Sequence, residues 1–472
     1  MTTSIGELRE RFEAEGQGHV FAFWDELGEA ARRELAREAR AVDLDLVREL
    51  GELAAGGRSE TAVERFEPPE LFPLERDAGR EREARAAARR GAEVLREGRV
   101  GFVVVAGGQG SRLGFEGPKG KFPAGPVSGR SLFEWHARRL LAARERHASA
   151  MPWYVMTSAT NDAETRAFFE LHAFFGLPPE DVFFFQQRML PALDAEGRIV
   201  MRTRGNLFLA PNGHGGTLEA LAVSGGLADA ARRGIEHLSY FQVDNPLGRP
   251  ADPLFLGLHV LAGARMSSKV VEKREPWEKV GVIGRADGRL GCIEYSDLPA
   301  ELRDARDAEG RLLFRAGNIA AHVIDRGFVE ELVGKGARLP WHIARKEVPA
   351  IDARGAPCTR AAVKFETFVF DALGHAGNSV TLEVERELEF SPVKNARGPD
   401  SPETMRRDLT RMFAAWLRAV GAHGAGVAAL ESAGENGSLA IEVDPTFAED
   451  PEQFRARMPA EPERHERGIL FR

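Results

Sequence analysis

Apolar residues recur at three- and four-residue steps through LRERFEAEG, FWDELGEAARRELAREAR and GREREARAAARRGAEVLREG. Set among Ala, Leu, Glu and Arg, that period predicts an N-terminal helical region over residues 1–95. The prolines of RFEPPELFP must interrupt it. At Arg99 the pattern changes: RVGFVVVAGG is a β-branched run entering glycines, which predicts a buried strand ending in a loop. Strand-like and helix-like runs then alternate. PWYVMTSA is followed by a helix with Asn161 as its expected N-cap and Glu164 three residues on, then by VFFFQQ and later HLSYFQVDN. This order predicts an α/β fold, a mostly parallel sheet with helices on both faces. Over 267–300 the chain turns β-rich, and Asp287-Gly288 between VGVIGRA and RLGCIEYS predicts an antiparallel hairpin insertion. Ser401-Pro402-Glu403 opens a last helix running to about Val420. The expected limits are 1–95 for the helical region, 96–390 for a catalytic domain and 391–472 for a small C-terminal region.

Composition narrows the class. With 472 residues, 43% apolar and 29% charged, the chain is globular and has room for about three domains. A formal charge of -8 disfavours nucleic acid as a partner, so a phosphate-bearing ligand requires a local site. The start MTTSIGELRERFEAEG lacks the basic and apolar regions of a signal peptide, and no apolar run is long enough to span a bilayer; a cytoplasmic protein without membrane contact is expected. Cys292 and Cys358 are too few for a disulfide framework or zinc site, and both are expected to be reduced and structural. Arginine supplies most of the basic charge, which makes each lysine that remains informative.

The strongest chemical signal is Ala106-Gly107-Gly108-Gln109-Gly110-Ser111-Arg112-Leu113-Gly114, followed by Pro118-Lys119-Gly120-Lys121. Glycines admit a ligand close to backbone N–H groups, and Arg112 and Lys119 add charge for phosphates. A plain tight turn is the other reading. A dinucleotide fingerprint fails because Leu113 stands where the third glycine is due, and YVMTSAT brings no ribose-binding acid. A P-loop fails because no glycine stands five residues before Gly120-Lys121. A nicotinamide-dependent oxidoreductase is disfavoured on the same ground.

AGGQGSRLGFEGPKG resembles the signature loop of the nucleotide-sugar pyrophosphorylases, above all the UDP-N-acetylglucosamine pyrophosphorylase branch. The similarity continues in order through MLPALDAEGRI, APNGHGGTLEAL, VDNPL, KVVEKREPWEKVGVI, IEYSDLP, LLFRAGNIAAHVI, VKFETFVFDAL and EFSPVKNARGPDSPETMRRDL, covering about residues 100–410. The resemblance implies a Rossmann-like, GT-A-like nucleotidyltransferase. Its reaction joins UTP and a sugar 1-phosphate into a UDP-sugar and pyrophosphate, with N-acetylglucosamine 1-phosphate favoured.

The same resemblance implies roles for single residues. Gly107, Gly108, Gln187 and Gly213 would approach the uracil, and Arg112 the triphosphate. Gly281, Glu294 and Asn318 would contact the sugar, and Phe368 and Phe370 the acetamido group. Lys119 would hold departing pyrophosphate and Lys394 the incoming phosphate. Asp244 follows an apolar strand at its carboxyl end, where a carboxylate beside phosphates suits Mg²⁺. Taken singly, Asp244 also fits a helix cap, Gln187 a surface residue, the two phenylalanines a core strand, and Lys394 a solvated charge. One departure stands out: Asn212-Gly213-His214 replaces the Asp-Gly-Asn of the eukaryotic N-acetylglucosamine enzymes, whose asparagine touches the sugar. Gly-His-Gly is similar to the broad-specificity UDP-sugar pyrophosphorylases, so a broad or UDP-glucose specificity is the alternative. A non-catalytic nucleotide-sugar binding protein is a third class, opposed by the joint presence of Arg112, Lys119, Asp244 and Lys394.

Overall fold

The computed structural model describes residues 4–56, 65–295, 297–336, 338–420, 439–458 and 463–472. Residues 421–438 of the expected C-terminal region lie outside the described residues. Three helices open the chain: α1 (Ile5–Ala14), α2 (Glu29–Ala41) and α3 (Leu44–Ala55). Ser4 and Glu7 close a capping box on α1, and Asp43 caps α3. RFEPPELFP breaks the helical region as its prolines require, and Phe66–Glu67 is extended. Helix α4 (Ala78–Arg96) then leads into β1 (Val100–Val105). Next come α5 (Leu132–His147), β2 (Trp153–Thr157), α6 (Asp162–Leu171), β3 (Val182–Gln186), β4 (His237–Gln242) and α7 (Pro253–Leu261). The β-rich stretch supplies β5 (Met266–Glu272), β6 (Val282–Ala286), β7 (Arg289–Ile293) and β8 (Ala316–Asp325). After the hairpin β9 (His342–Ile351) and β10 (Pro357–Glu366) come β11 (Thr381–Glu383) and α8 (Pro402–Ala419). The chain ends in β12 (Ala440–Val443), β13 (Glu463–His465) and β14 (Gly468–Phe471).

These elements form two compact units, each discontinuous in sequence. One comprises residues 1–63, 187–216 and 339–369; the other comprises 64–186, 217–338 and 370–472. The units therefore follow other limits than 95 and 390. In the first, Leu8, Phe12, Leu35, Val47 and Leu50 share a core with Leu190, Leu193, Ile199 and Phe365. The N-terminal helices thus pack on the β9–β10 hairpin and on the 190–207 segment.

The second unit holds the large sheet. β1 lies between β4 and β2, and β4, β1, β2 and β3 run parallel. Their carboxyl ends are level, because Val105 pairs with Gln242 and Met156, and Thr157 with Gln186. The expected insertion joins the same sheet: β8 pairs antiparallel with β4, β6 and β5, and β6 with β7. Asp287 and Gly288 both take positive φ (50° and 78°), the turn that fits a two-residue hairpin. Ser401 caps α8 with Pro402 next, as its sequence predicts. The small sheet of β12, β14 and β13 is fastened by two fully buried carboxylates. Glu442 accepts from the Val127 and Ser128 N–H groups (2.8 Å each), and Asp444 pairs with Arg130 (2.9 Å) and Arg138 (2.6 Å). Among the described residues no helix is long and apolar enough to cross a membrane.

Candidate active site

The glycine loop leaves the carboxyl end of β1 and is held by the loop after β2. Ser158 Oγ donates to Gly107 O (2.9 Å), and Asn161 Nδ2 donates to Ala106 O (2.9 Å) and Gly108 O (3.4 Å). Asn161 Oδ1 in turn accepts the Ser158 N–H at 2.8 Å. Asn161 is therefore not the capping residue its sequence position predicts. It makes no cap bond to α6, because its amide is taken up by the backbone of the glycine loop. Glu164, the expected capping partner, instead pairs with Lys121 at 2.5 Å. Inside the loop, Lys119 N–H bonds Gly108 O (3.0 Å) and Gly110 N–H bonds Gly117 O (2.9 Å), so the two basic elements form one folded piece. A methyl group at Gly110 would strike Phe115, and one at Gly120 would strike the Phe133 ring. At Gly108 it would meet no protein atom, leaving that backbone open to a ligand.

Three expected charges converge on one carboxylate. Lys119 Nζ lies 3.0 Å from Asp244 Oδ2, with both side chains less than 15% exposed (13% and 14%). Burial alone would raise the Asp244 carboxyl, but the charges of Lys119, Lys394 and Arg112 outweigh it and hold it below its ordinary value. Lys394 stands 4.0 Å from Asp400 Oδ2 and 5.7 Å from the Phe390 ring. Its segment is tied to Asp244 by Val393 N–H to Asp244 O (2.9 Å). Helix α5 braces the other side. His136 Nε2 donates to Val243 O (3.0 Å) and Trp135 Nε1 to Pro246 O (2.9 Å). Nothing in the periodicity of α5 separates these two from ordinary core residues, which is why sequence reasoning misses them. Among the described residues no three His, Cys, Asp or Glu side chains gather as a metal-binding set.

Gly281, Glu294 and Asn318 also come together, on the insertion of the second unit. Asn318 N–H donates to Gly281 O (2.8 Å), and a side chain on Gly281 would strike Cys292 Sγ and crowd Glu294. Cys292, expected to be structural, is a free thiol at the centre of this group, 3.6 Å from Asn318 Nδ2. Burial and the Glu294 carboxylate push the thiol up, so it stays protonated.

Gln187, Gly213, His214 and Phe368 belong to the first unit. Gln187 follows β3 and is buried. Gly213 has φ 81°, and a β-carbon there would lie 2.4 Å from Thr367 O, so its own backbone accounts for the glycine. His214 stacks on Phe368 (5.2 Å, 21°), which also packs on His342 (4.2 Å). The Val369 N–H donates to His214 Nδ1 (3.2 Å), so the neutral ring carries its proton on Nε2. Burial, with His342 nearby, lowers His214 to about 4. Phe370, in the second unit, is only 5% exposed.

A glycine loop and three cations around one carboxylate, all at the carboxyl edge of parallel strands, define a nucleotidyltransferase that handles a nucleoside triphosphate. The model of the UTP--glucose-1-phosphate uridylyltransferase family matches residues 70–410, and the chain belongs to that family. It is an enzyme, a uridylyltransferase. The chain is 39% identical to UDP-N-acetylhexosamine pyrophosphorylase-like protein 1 of Xenopus tropicalis, over 89% of this chain and 86% of that one. It is 36% identical to UDP-N-acetylglucosamine diphosphorylase 2 of Arabidopsis thaliana, over 88% and 85%. Among solved structures, the uridine diphosphate N-acetylglucosamine pyrophosphorylase from Trypanosoma brucei in complex with inhibitor superposes with a TM-score of 0.83 at 28% identity, covering 98% of this chain and 97% of that one.

Proposed function

We propose that this uridylyltransferase forms UDP-N-acetylglucosamine and pyrophosphate from UTP and N-acetylglucosamine 1-phosphate, in the cytoplasm. The observation that carries the reading is the gathering of Arg112, Lys119 and Lys394 around Asp244. A phosphate oxygen of the sugar 1-phosphate attacks the α-phosphorus of UTP, and the bond to the bridging oxygen of pyrophosphate breaks. No protein nucleophile is needed, so catalysis is positioning and charge neutralisation. Arg112 and Lys119 hold the departing pyrophosphate, and Lys394 orients the incoming phosphate. Gly107 and Gly108 bring backbone to the nucleotide, with Gln187 and Gly213 at the uracil. Gly281, Glu294 and Asn318 bind sugar hydroxyls.

Asp244 fits Mg²⁺. A single carboxylate held ionised among cations suits a metal that takes one or two protein oxygens and draws its other ligands from phosphate and water. When bound, Mg²⁺ would neutralise charge on the phosphates. Lys119, 3.0 Å from that carboxylate, would hold the pyrophosphate beside it.

One observation favours the alternative of a broad or glucose specificity. Phe370 is only 5% exposed, which leaves it little open wall for an acetamido methyl. Comparing kcat/KM for N-acetylglucosamine 1-phosphate and glucose 1-phosphate with UTP decides between them. A clear preference for the acetamido sugar is expected; equal values or a glucose preference would move the enzyme to the alternative.

A further inference from the structure

Lys269 is 1% exposed in the core of the second unit. A lysine so buried loses its hydration and is destabilising unless its charge is met, and replacing such an ion pair by a hydrophobe is often neutral for stability. Here the charge is met twice, by carboxylates from two different segments. Asp252 Oδ2 lies 2.7 Å from Nζ and Glu389 Oε2 2.5 Å. Asp252 belongs to the segment that begins at Asp244, and its other oxygen caps α7 through Leu254 N–H (3.0 Å). Glu389 ends the helical turn that leads to Lys394. Between these anchors Asn245 fastens the same two segments, donating to Glu389 O (2.7 Å) and accepting from Ser391 N–H (3.0 Å). The Val393 N–H to Asp244 O bond completes the seam one residue before Lys394.

The lysine also stands at an irregularity of the sheet. Ser268 pairs with His322 but Val270 with Asn318, so Ile319, Ala320 and Ala321 of β8 bulge opposite Lys269 alone. Ala320 takes φ 53° and its N–H bonds Asn318 Oδ1 at 2.9 Å. The strand bends where it delivers Asn318.

We propose that Lys269 is a positioning residue for uridylyl transfer: its ammonium group, bridging Asp252 and Glu389 from within the core, fixes the segment that carries Lys394 against the segment that carries Asp244. This rests on the reading that Lys394 orients the sugar phosphate. Lys269→Met in the full chain keeps the side-chain volume and removes the two ion pairs. It is expected to lower kcat/KM for the sugar 1-phosphate roughly 30-fold, as a misplaced phosphate-binding group would, while UTP affinity measured by calorimetry stays within about two-fold. The decisive comparison is the double-mutant cycle with Lys394→Ala. Once Lys394 is gone, Lys269→Met should cost less than about three-fold, because the group it positions is absent. Equal losses in both backgrounds, or no loss in either, would overturn the proposal. Should the methionine variant fail to fold by circular dichroism, Glu389→Gln, which retains the backbone clip from Asn245, is carried through the same cycle with the same expected coupling. An unchanged sugar-phosphate KM in Lys394→Ala alone would defeat the reading of Lys394 and the proposal with it. A raised KM in Lys394→Ala without coupling would defeat the proposal and leave that reading standing.

Discussion

Asp244 and Lys119 answer each other's charge across 3.0 Å. Asp244→Asn keeps the shape and deletes the charge. It should lower kcat roughly 100-fold or more, the scale of losing one electrostatic contact in a closed site, and weaken Mn²⁺ binding measured by electron paramagnetic resonance. Unchanged turnover with unchanged metal dependence would remove Asp244 from the site. His214 makes a different prediction. Since burial lowers it to about 4, it stays neutral from pH 6 to 9, with its proton on Nε2. The ratio of kcat/KM for the two sugar phosphates should be flat across that range. An inflection near pH 6.5 that vanishes in His214→Asn would show that the imidazole titrates in the site. The His214 departure is plain in the sequence; its tautomer is not, because that depends on the Val369 N–H, far away in the chain.

The glycine loop works as one element with the loop after β2. Asn161→Ala would strip its hydrogen bonds from the carbonyls of Ala106 and Gly108; Gly108 O keeps the Lys119 N–H, but Ala106 is buried, and leaving such a group unmet costs about 1–3 kcal/mol. A raised KM for UTP and a lowered urea midpoint are expected together. A lowered midpoint with unaltered UTP kinetics would mean that the loop's conformation does not matter for nucleotide. Most elements here were legible in sequence: the β1 run, the Asp287-Gly288 hairpin and the Ser401 cap are local signals and each is where its residues place it. Asn161 departs from its local signal because Asn before a helix signals a cap whether or not its amide is needed elsewhere. The bulge opposite Lys269 had no local signal, since it is a property of two paired strands.

At the scale of the molecule, chain order hides how the units are built, because the N-terminal helices pack with residues from 187–216 and 339–369. Helical periodicity announces α1–α3 without saying what they cover. The convergence on Asp244 was legible as an ordered motif series, whereas the bracing by His136 and Trp135 required coordinates. His136 also sets a pH limit. Burial lowers it to about 4 from an ordinary 6.5, so the unfolded chain takes up the proton first. The stability tied to keeping it neutral is complete above pH 6.5 and is lost as pH falls from there toward 4; His214 and His259, lowered in the same direction by burial, add to the loss. Thermal unfolding should therefore move to lower temperature between pH 7 and 5, with a shallower slope in His136→Gln, and a flat profile would contradict this. The central claim is direct uridylyl transfer organised around Asp244, and the most direct measurement follows the α-phosphorus. With UTP labelled there, N-acetylglucosamine 1-phosphate and Mg²⁺, all label should pass to UDP-N-acetylglucosamine and none to precipitated protein, at a rate that collapses in Asp244→Asn. Label retained on the protein, or transfer at the same rate in that variant, would contradict it.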